Sequence, residues 1–202
     1  KNGNISVLDF PGREAMTKVF ESADSTFADL LGYLHLTHGP YHNPYELTTF
    51  YDNHDMSRMN ATDHGFVDAH NWLFTSRGIP VVYQGSEMGF MRGTEEHQGN
   101  RNYLGQDNIE LAKQHVIHQQ LSRIANVRKA LPSLQRGLQV NLDFEGQTAS
   151  FYRVVQDQQD AQTALILLNK GDQAASFEIS QYMQAGEWRE QLSGENVSVA
   201  AD

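Results

Sequence analysis

The chain has 202 residues, of which 39% are hydrophobic and 20% charged, a composition typical of a globular protein and not of a disordered or fibrous one. Its formal net charge of −10 argues against a nucleic-acid partner, because a polyphosphate would be repelled and no cluster of Lys and Arg offsets the repulsion. The absence of cysteine excludes disulfides and thiolate chemistry, and the longest apolar run is too short to cross a bilayer.

The first part of the chain begins with short apolar runs separated by helix-like segments. Residues 5–8 predict a buried strand, and Pro11 suits the first turn of a helix over residues 14–20. Residues 47–51 predict a second strand, which ends at an Asp-Asn-His-Asp run over residues 52–55.

The same strand–helix order continues up to Pro132. Apolar residues at helical spacing predict a helix over residues 64–76, and residues 79–83 predict a third strand. After a polar loop over residues 85–107, another apolar stripe predicts a helix over residues 117–131. Alternation of this kind predicts βα units around a parallel sheet.

After Pro132 the apolar residues follow the period of strands. Residues 149–155 and 163–168 predict two strands joined by a polar hairpin loop, and alternation over residues 175–179 predicts a further strand. Closely spaced strands of this kind are typical of a small antiparallel sandwich. We therefore expect two domains, residues 1–132 and residues 133–202.

Residues 49–58, Thr-Phe-Tyr-Asp-Asn-His-Asp-Met-Ser-Arg, form the most informative motif of the chain. Catalytic groups of parallel α/β barrels collect at the carboxyl ends of the strands, which is where this motif is predicted to lie. Asp-Asn at a strand end is also common turn chemistry. The motif by itself is compatible with both interpretations.

The run from Phe50 to Asp55 resembles the fourth conserved stretch of the α-amylase family (glycoside hydrolase 13), at the end of barrel strand seven. Residues 76–87 resemble the family's strand eight and its following turn, and residues 7–10 resemble strand six of cyclodextrin glucanotransferases and related amylases. The C-terminal strands fall where the family has its domain C. The resemblance implies an α/β plus all-β chain: strands six to eight of a (β/α)8 TIM barrel, then an antiparallel β-sandwich domain C.

The resemblance also implies roles for three residues, and side-chain chemistry adds a fourth. Asp55 is similar to the family's catalytic carboxylate that stabilises the transition state, and His54 is similar to the histidine that hydrogen-bonds the same sugar. Arg101 lies in a run similar to one that contacts outer sugars in related glucanotransferases, although His97-Gln98 stands where those enzymes have Asp-Pro. Tyr103 supplies a ring for stacking on a sugar face.

Neighbouring polar residues are expected to have structural roles. Asp52 and Asn53 would shape the turn, Arg58 would form a salt bridge, and Glu87 would belong to a structural turn after strand eight. His115 and His118 lie one turn apart on a helix, but without a suitable third ligand they indicate a solvated face, so no metal ligand is expected.

For the parent protein, the resemblance implies a retaining glycoside hydrolase that acts on α-glucosidic linkages in starch or maltooligosaccharides. Retaining cleavage needs a nucleophile and an acid/base carboxyl about 5–5.5 Å apart, and the family's motifs for both are missing from this sequence. The chain alone is therefore expected to be inactive. The alternatives are a glucanotransferase or isomerase of the same family, and a non-catalytic amylase-like binding subunit.

The remaining expectations concern cofactors, partners and location. No cofactor is expected in this segment, and the resemblance allows calcium in the parent protein. The expected partners are an α-glucan or maltooligosaccharide, with no nucleic acid and no membrane; the missing barrel half or another chain would cover the open strand edge. A secreted or periplasmic location is a family expectation that this sequence does not fix.

Overall fold

The computed structural model describes residues 6–200, which form a helical layer, a short parallel sheet, an antiparallel sheet and a hairpin. The helices are α1 (Phe10–Glu21), α2 (Leu31–Leu34), α3 (Asp63–Thr75), α4 (Gln106–Ala112), α5 (Val116–Ala130) and α6 (Pro132–Arg136), with 3₁₀ turns at Phe27–Leu30, Pro44–Glu46 and Ser86–Met88. The strands are β1 (Thr48–Thr49), β2 (Ile79–Pro80), β3 (Leu138–Glu145), β4 (Thr148–Gln156), β5 (Ala161–Asn169), β6 (Gly186–Arg189) and β7 (Asn196–Val199). No helix within residues 6–200 is long and apolar enough to span a membrane.

The three predicted long helices are confirmed as α1, α3 and α5. The Asp9 carboxylate caps α1 by accepting the Gly12 N–H at 3.1 Å, and Thr62 caps α3 through its hydroxyl. Gly78 follows α3 with φ +100°, and a Cβ there would overlap the Thr49 hydroxyl, so only glycine fits between the helix and β2.

Two of the three predicted parallel strands are present but short, and the first is reduced, within the described residues, to a bridge at Leu8. β1 pairs with β2 on one side, and Leu8 bridges to Thr48 on the other, all in parallel. The predicted burial of the first strand is wrong, since Val7 is 46% and Leu8 52% exposed; Ile5, the start of that strand, lies outside the described residues. No further strand within residues 6–200 flanks this sheet, which leaves its outer side chains uncovered.

The antiparallel sheet has the order β3–β4–β5 and confirms the two predicted strands and their hairpin loop. Sequence reasoning did not name β3, although its apolar and polar residues alternate. The strand predicted over residues 175–179 is wrong. Phe177 and Ile179 are half-buried between exposed neighbours, so the sequence alternation correctly indicates which side chains are buried. However, this segment is hydrogen-bonded to no other strand among the described residues.

The core joins the helices to the antiparallel sheet through Trp72. Its fully buried ring meets Phe151 at 5.7 Å and Phe144 at 5.9 Å on the sheet side, and Phe27 at 6.2 Å on the helix side. The two contacts on the sheet side are edge-on, and aromatic contacts of this kind add to the stabilisation that burial provides. The two expected domains thus share one apolar cluster, and the boundary near residue 132 stays a prediction.

Three buried arginines organise the polar junction at the C-terminal end of α3. Arg153 of β4 donates to the carbonyls of Thr75 and Ser76 at 2.6 Å, and Arg128 of α5 donates to the Gly78 carbonyl at 2.7 Å. Burial lowers the pKa of Arg153 to about 9 and that of Arg128 to about 10, values at which both guanidinium groups stay charged at neutral pH.

Arg77 continues this junction toward α1 and α2. Its fully buried guanidinium pairs with the Asp9 carboxylate and also donates to the carbonyls of Tyr33 and Leu34, at 2.6 and 2.9 Å. The Arg77 backbone N–H in turn donates to the Gln139 side chain of β3 at 2.8 Å. The end of α3 is therefore held from the helical layer and from the sheet at once.

We expect Arg153→Met to lower the free energy of unfolding by roughly 3 kcal/mol, because it leaves several buried carbonyls without a donor. Chemical denaturation of the 202-residue chain measures the change. Arg136→Met is the control, since Arg136 pairs with Asp157 and Asp160 at the surface and its loss should change little. Equal effects of the two substitutions would contradict a structural role for the junction.

Candidate active site

The loop that follows β1 is closed by the Asp52 side chain. One carboxylate oxygen accepts the Met59 N–H at 2.8 Å, and the other accepts the Ser86 hydroxyl at 2.9 Å. Burial raises the pKa of Asp52, and these two hydrogen bonds together with the nearby Arg58 and Arg13 charges oppose that rise. Asp52 therefore shapes the turn, as predicted, and ties it to the segment after β2.

His54 and Asp55 stand at the exposed tip of this loop. The Asn53 side chain accepts the Asp55 N–H at 2.8 Å, an Asx turn that confirms the predicted role of Asn53. The His54 Nε2 lies 3.2 Å from one Asp55 carboxylate oxygen. The tip thus presents an imidazole and a carboxylate to solvent side by side.

Arg101 reaches the same point from the loop after β2. Its Nη2 donates to the other Asp55 oxygen at 2.6 Å, and its Nε donates to the His54 carbonyl at 3.0 Å. The strand-end rule predicts that Asp55 and Arg101 lie on one face, at the carboxyl ends of the parallel strands, and the salt bridge between them confirms it. Both Asp55 oxygens are engaged, yet the two side chains remain more than half exposed, so a polar ligand can reach them.

Asn100 holds the Arg101 loop in place, a role that sequence reasoning missed. It is fully buried, its Nδ2 donates to the His54 carbonyl at 2.7 Å, and its Oδ1 accepts the His97 N–H at 3.1 Å. Its own carbonyl accepts the Tyr83 hydroxyl at 2.7 Å. An Asn in a polar loop is ordinary turn chemistry, so the sequence held no signal of this burial.

The salt bridge expected for Arg58 is wrong. Its guanidinium donates to the backbone carbonyls of Gln84 and Gly99 and lies 4.8 Å from the Tyr83 ring centroid and 5.7 Å from that of Phe90. The Tyr83 ring therefore packs against the Arg58 cation. Carbonyl oxygens and aromatic faces thus take the place of the expected carboxylate, and the buried Nη2 has no hydrogen-bond partner among the described residues.

The remaining predicted residues lie apart from this cluster. Tyr103 takes part in none of the hydrogen bonds that join the other three candidates, and 89% of it is exposed. Glu87 sits in the 3₁₀ turn Ser86–Met88, and His115 caps α5 by accepting the Ile117 N–H at 3.3 Å. Within residues 6–200 there is no group of three or more His, Asp or Glu placed to hold a metal ion.

A buried polar pair lies behind the loop. The Tyr51 hydroxyl is 2.6 Å from the His70 Nε2, and both side chains are almost completely buried. Burial lowers the pKa of His70 to about 3, so the imidazole is neutral at ordinary pH. Sequence reasoning missed this pair because each residue occupies an ordinary strand or helix position.

Comparison with known proteins identifies two kinds of similar enzyme, although no protein-family model matches the chain. An α-amylase from Niallia circulans is 30% identical over 136 residues, which are 66% of this chain and 25% of the relative. A cyclomaltodextrin glucanotransferase from Paenibacillus macerans is 27% identical over 196 residues, which are 94% of this chain and 26% of the relative. The chain thus spans about a quarter of the length of these curated relatives.

Solved structures give the same two kinds of enzyme. An α-amylase from Anoxybacillus matches with a TM-score of 0.79 and 25% identity, covering 96% of this chain and 43% of that one. A cyclomaltodextrin glucanotransferase with a three-domain ABC distribution matches with a TM-score of 0.79 and 27% identity, covering 96% and 38%. The resemblance to α-amylases and cyclodextrin glucanotransferases that the motifs predicted is confirmed.

The buried His70 makes the stability of the chain depend on pH. Its folded-state pKa of about 3 lies below the ordinary 6.5. Between these two pH values the unfolded state binds a proton that the folded state does not bind. The free energy of unfolding therefore decreases as pH falls from about 6.5 towards 3. Between pH 6.5 and pH 5 this amounts to about 2 kcal/mol of unfolding free energy.

His70→Phe should remove that part of the pH dependence, while His42→Phe, at an exposed loop position, should keep the wild-type slope. Urea denaturation at several pH values measures both. Parallel curves for wild type and His70→Phe would refute the buried neutral imidazole.

Proposed function

We propose that the chain is the C-terminal part of a retaining glycoside hydrolase of the α-amylase type, acting on α-glucosidic linkages in starch or maltooligosaccharides. The observation that carries the proposal is the His54–Asp55–Arg101 cluster at the ends of parallel strands, in a fold similar to α-amylases. In this proposal Leu8, β1 and β2 belong to strands six, seven and eight of a (β/α)8 barrel, and β3 to β7 to a β-sandwich domain C.

Asp55 is the proposed stabiliser of the transition state. Its carboxylate accepts one hydrogen bond from Arg101 and lies beside His54, so sugar hydroxyls can donate to the same oxygens as the substrate binds. A contact of this kind lowers the barrier when it strengthens as the sugar ring distorts. His54 and Arg101 would supply donors to the same sugar or its neighbour, and Tyr103 would stack on an outer one.

The nucleophile and the acid/base carboxyl are proposed to come from the rest of the protein. A retaining reaction needs these two groups about 5–5.5 Å apart, on either side of the scissile bond. Asp55 would then act on an intermediate whose covalent chemistry is performed by residues of other barrel strands. Water would attack that intermediate in a hydrolase.

A glucanotransferase is the second candidate, in which a sugar hydroxyl takes the place of water. It is supported by the similarity to a cyclomaltodextrin glucanotransferase over 94% of this chain. In this proposal His54, Asp55 and Arg101 bind the donor sugar in both reactions, so they fit either outcome. Product analysis of the complete protein, short oligosaccharides against cyclic or elongated glucans, separates the two.

The exposed parallel strands support a further part of the proposal, that the rest of the barrel or another chain covers them. Val7, Leu8, Ile79 and Val81 are 39–52% exposed and lie on or beside three adjacent parallel segments. Apolar side chains and unpaired backbone groups at a sheet edge favour pairing with further strands.

In the complete protein, Asp55→Asn should lower kcat by several orders of magnitude without unfolding, because the lost contact acts mainly in the transition state. His54→Ala should cost on the order of 10–100-fold, as for one or two sugar hydrogen bonds. Asp107→Asn, an exposed carboxylate at the start of α4, is the control. An Asp55→Asn variant that keeps a third of wild-type turnover on starch would refute the assignment.

The chain of 202 residues, purified alone, should cleave neither starch, maltooligosaccharides nor cyclodextrins. It should also self-associate, because its open strands attract further strands. A reducing-sugar assay and light scattering measure the two properties. A compact monomer that cleaves maltooligosaccharides would contradict the proposal that the two catalytic carboxyl groups lie outside this chain.

A further inference from the structure

The peptide group that joins Asn100 to Arg101 is anchored to the segment that follows β2. Its carbonyl oxygen accepts the Tyr83 hydroxyl at 2.7 Å. Tyr83 lies three residues after β2, whereas Arg101 stands at the far end of the loop over residues 84–100. A loop of this length does not by itself fix the position of its last residue. The Tyr83 hydroxyl therefore ties the far end of the loop to the strand from which the loop starts.

The Tyr83 ring is itself held by a buried cation. The Arg58 guanidinium lies 4.8 Å from the ring centroid, and its Nη1 donates to the carbonyl of Gln84, the next residue along the chain, at 2.8 Å. Arg58 is 3% exposed, and a cation–π contact is stronger where water is excluded. One arginine thus fixes both the ring and the backbone at the point from which the hydroxyl reaches out.

Tyr83 also borders the other loop of the site. The centroids of the Tyr83 ring and the His54 imidazole are 6.5 Å apart, a separation found for aromatic pairs. The His54 carbonyl in turn accepts from Asn100 Nδ2 at 2.7 Å and from Arg101 Nε at 3.0 Å. The peptide that Tyr83 anchors is therefore the one from which both donors to His54 project.

We propose that Tyr83 is a positioning residue that holds Arg101 against Asp55 through its hydroxyl. The Arg101 Nη2 donates to Asp55 at 2.6 Å while its Nε remains bonded to the loop that carries Asp55. Both bonds form only if the Arg101 backbone stays in place, because a hydrogen bond weakens over a few tenths of an ångström. Tyr83 acts through Arg101 and not on the substrate. That the Arg101–Asp55 pair serves catalysis rests on the function proposed above; the positioning of Arg101 does not.

Packing alone accounts for the Tyr83 ring but not for its hydroxyl. A phenylalanine at this position would keep the contact with Arg58 and would leave the Asn100 carbonyl without its donor. Asn100 is fully buried, so water does not replace the lost hydrogen bond unless the peptide moves. Removal of the hydroxyl is therefore a selective test of the anchor.

Tyr83→Phe in the complete protein, with nitrogen-15 in its arginines, tests the anchor by NMR. Exchange of the Arg101 Nε–H with water should become about 10-fold faster, because its hydrogen bond to the His54 carbonyl loosens when the peptide is released. Tyr33→Phe is the matched control. It removes a fully buried hydroxyl that accepts from Trp72 Nε1 at 2.6 Å, and it should leave the Arg101 exchange rate unchanged.

Kinetics of the complete protein on starch then test what the positioning serves. Tyr83→Phe should lower kcat/KM about 10-fold, as for a small displacement of a substrate-binding group. If Tyr83 acts through Arg101, adding Tyr83→Phe to Arg101→Ala should lower kcat/KM no further. A purely structural effect of the hydroxyl would multiply with that of Arg101→Ala.

The outcomes separate positioning from general stabilisation. An unchanged Arg101 exchange rate in Tyr83→Phe, or an equal acceleration in Tyr33→Phe, would overturn the proposal, and so would multiplying effects of Tyr83→Phe and Arg101→Ala on kcat/KM. If the exchange results held while Asp55→Asn proved fully active on starch, the proposed function would fail and the positioning of Arg101 would stand.

Discussion

The backbone carbonyls at the end of α3 are the point on which the rest of the structure depends. Arg128 of α5 and Arg153 of β4 donate to them, and Arg77 at the same helix end donates to carbonyls of α2. Each of the three guanidinium groups binds more than one acceptor. Five donors in one plane suit this task, and a helix C-terminus favours positive charge. Carbonyl dipoles thus satisfy guanidinium groups that would otherwise need carboxylates, and Asp9 supplies the carboxylate for Arg77.

This junction fixes the start of the strands whose opposite ends carry the site. β2 begins directly after Gly78 and pairs with β1. The positions at which the two following loops begin are therefore fixed relative to the junction. Asp52 and Ser86 then join those two loops to each other. The strands thus provide a rigid scaffold, and the hydrogen bond between Asp52 and Ser86 joins the two loops that the strands carry. Such an arrangement holds functional side chains in place to within fractions of an ångström.

Sequence reasoning succeeded where a periodic signal exists and failed where burial is aperiodic. The stripes of α3 and α5 predicted those helices, and the strand-end rule predicted that Asp55 and Arg101 lie on one face, although not that they form a salt bridge. The lengths of β1 and β2 were overestimated because a strand extends only where a neighbouring strand pairs with it, and the hydrophobic pattern does not show which residues have such a neighbour. The bulge between Asn141 and Asp143 switches the faces of β3, burying Gln139 and exposing Leu138, which no alternation rule predicts.

Two arginine–carboxylate pairs of nearly the same length show how one interaction serves two purposes. In the Arg77–Asp9 pair both side chains are 0% exposed, so separating them would leave a buried charge without a partner or water. This pair therefore stabilises the fold and does not exchange partners. In Arg101–Asp55 the side chains are 59% and 54% exposed, so water or a sugar hydroxyl can replace either partner at little cost. Because a ligand must displace such a partner to bind, solvent exposure, more than residue type or distance, leaves Asp55 accessible to a ligand and Asp9 inaccessible.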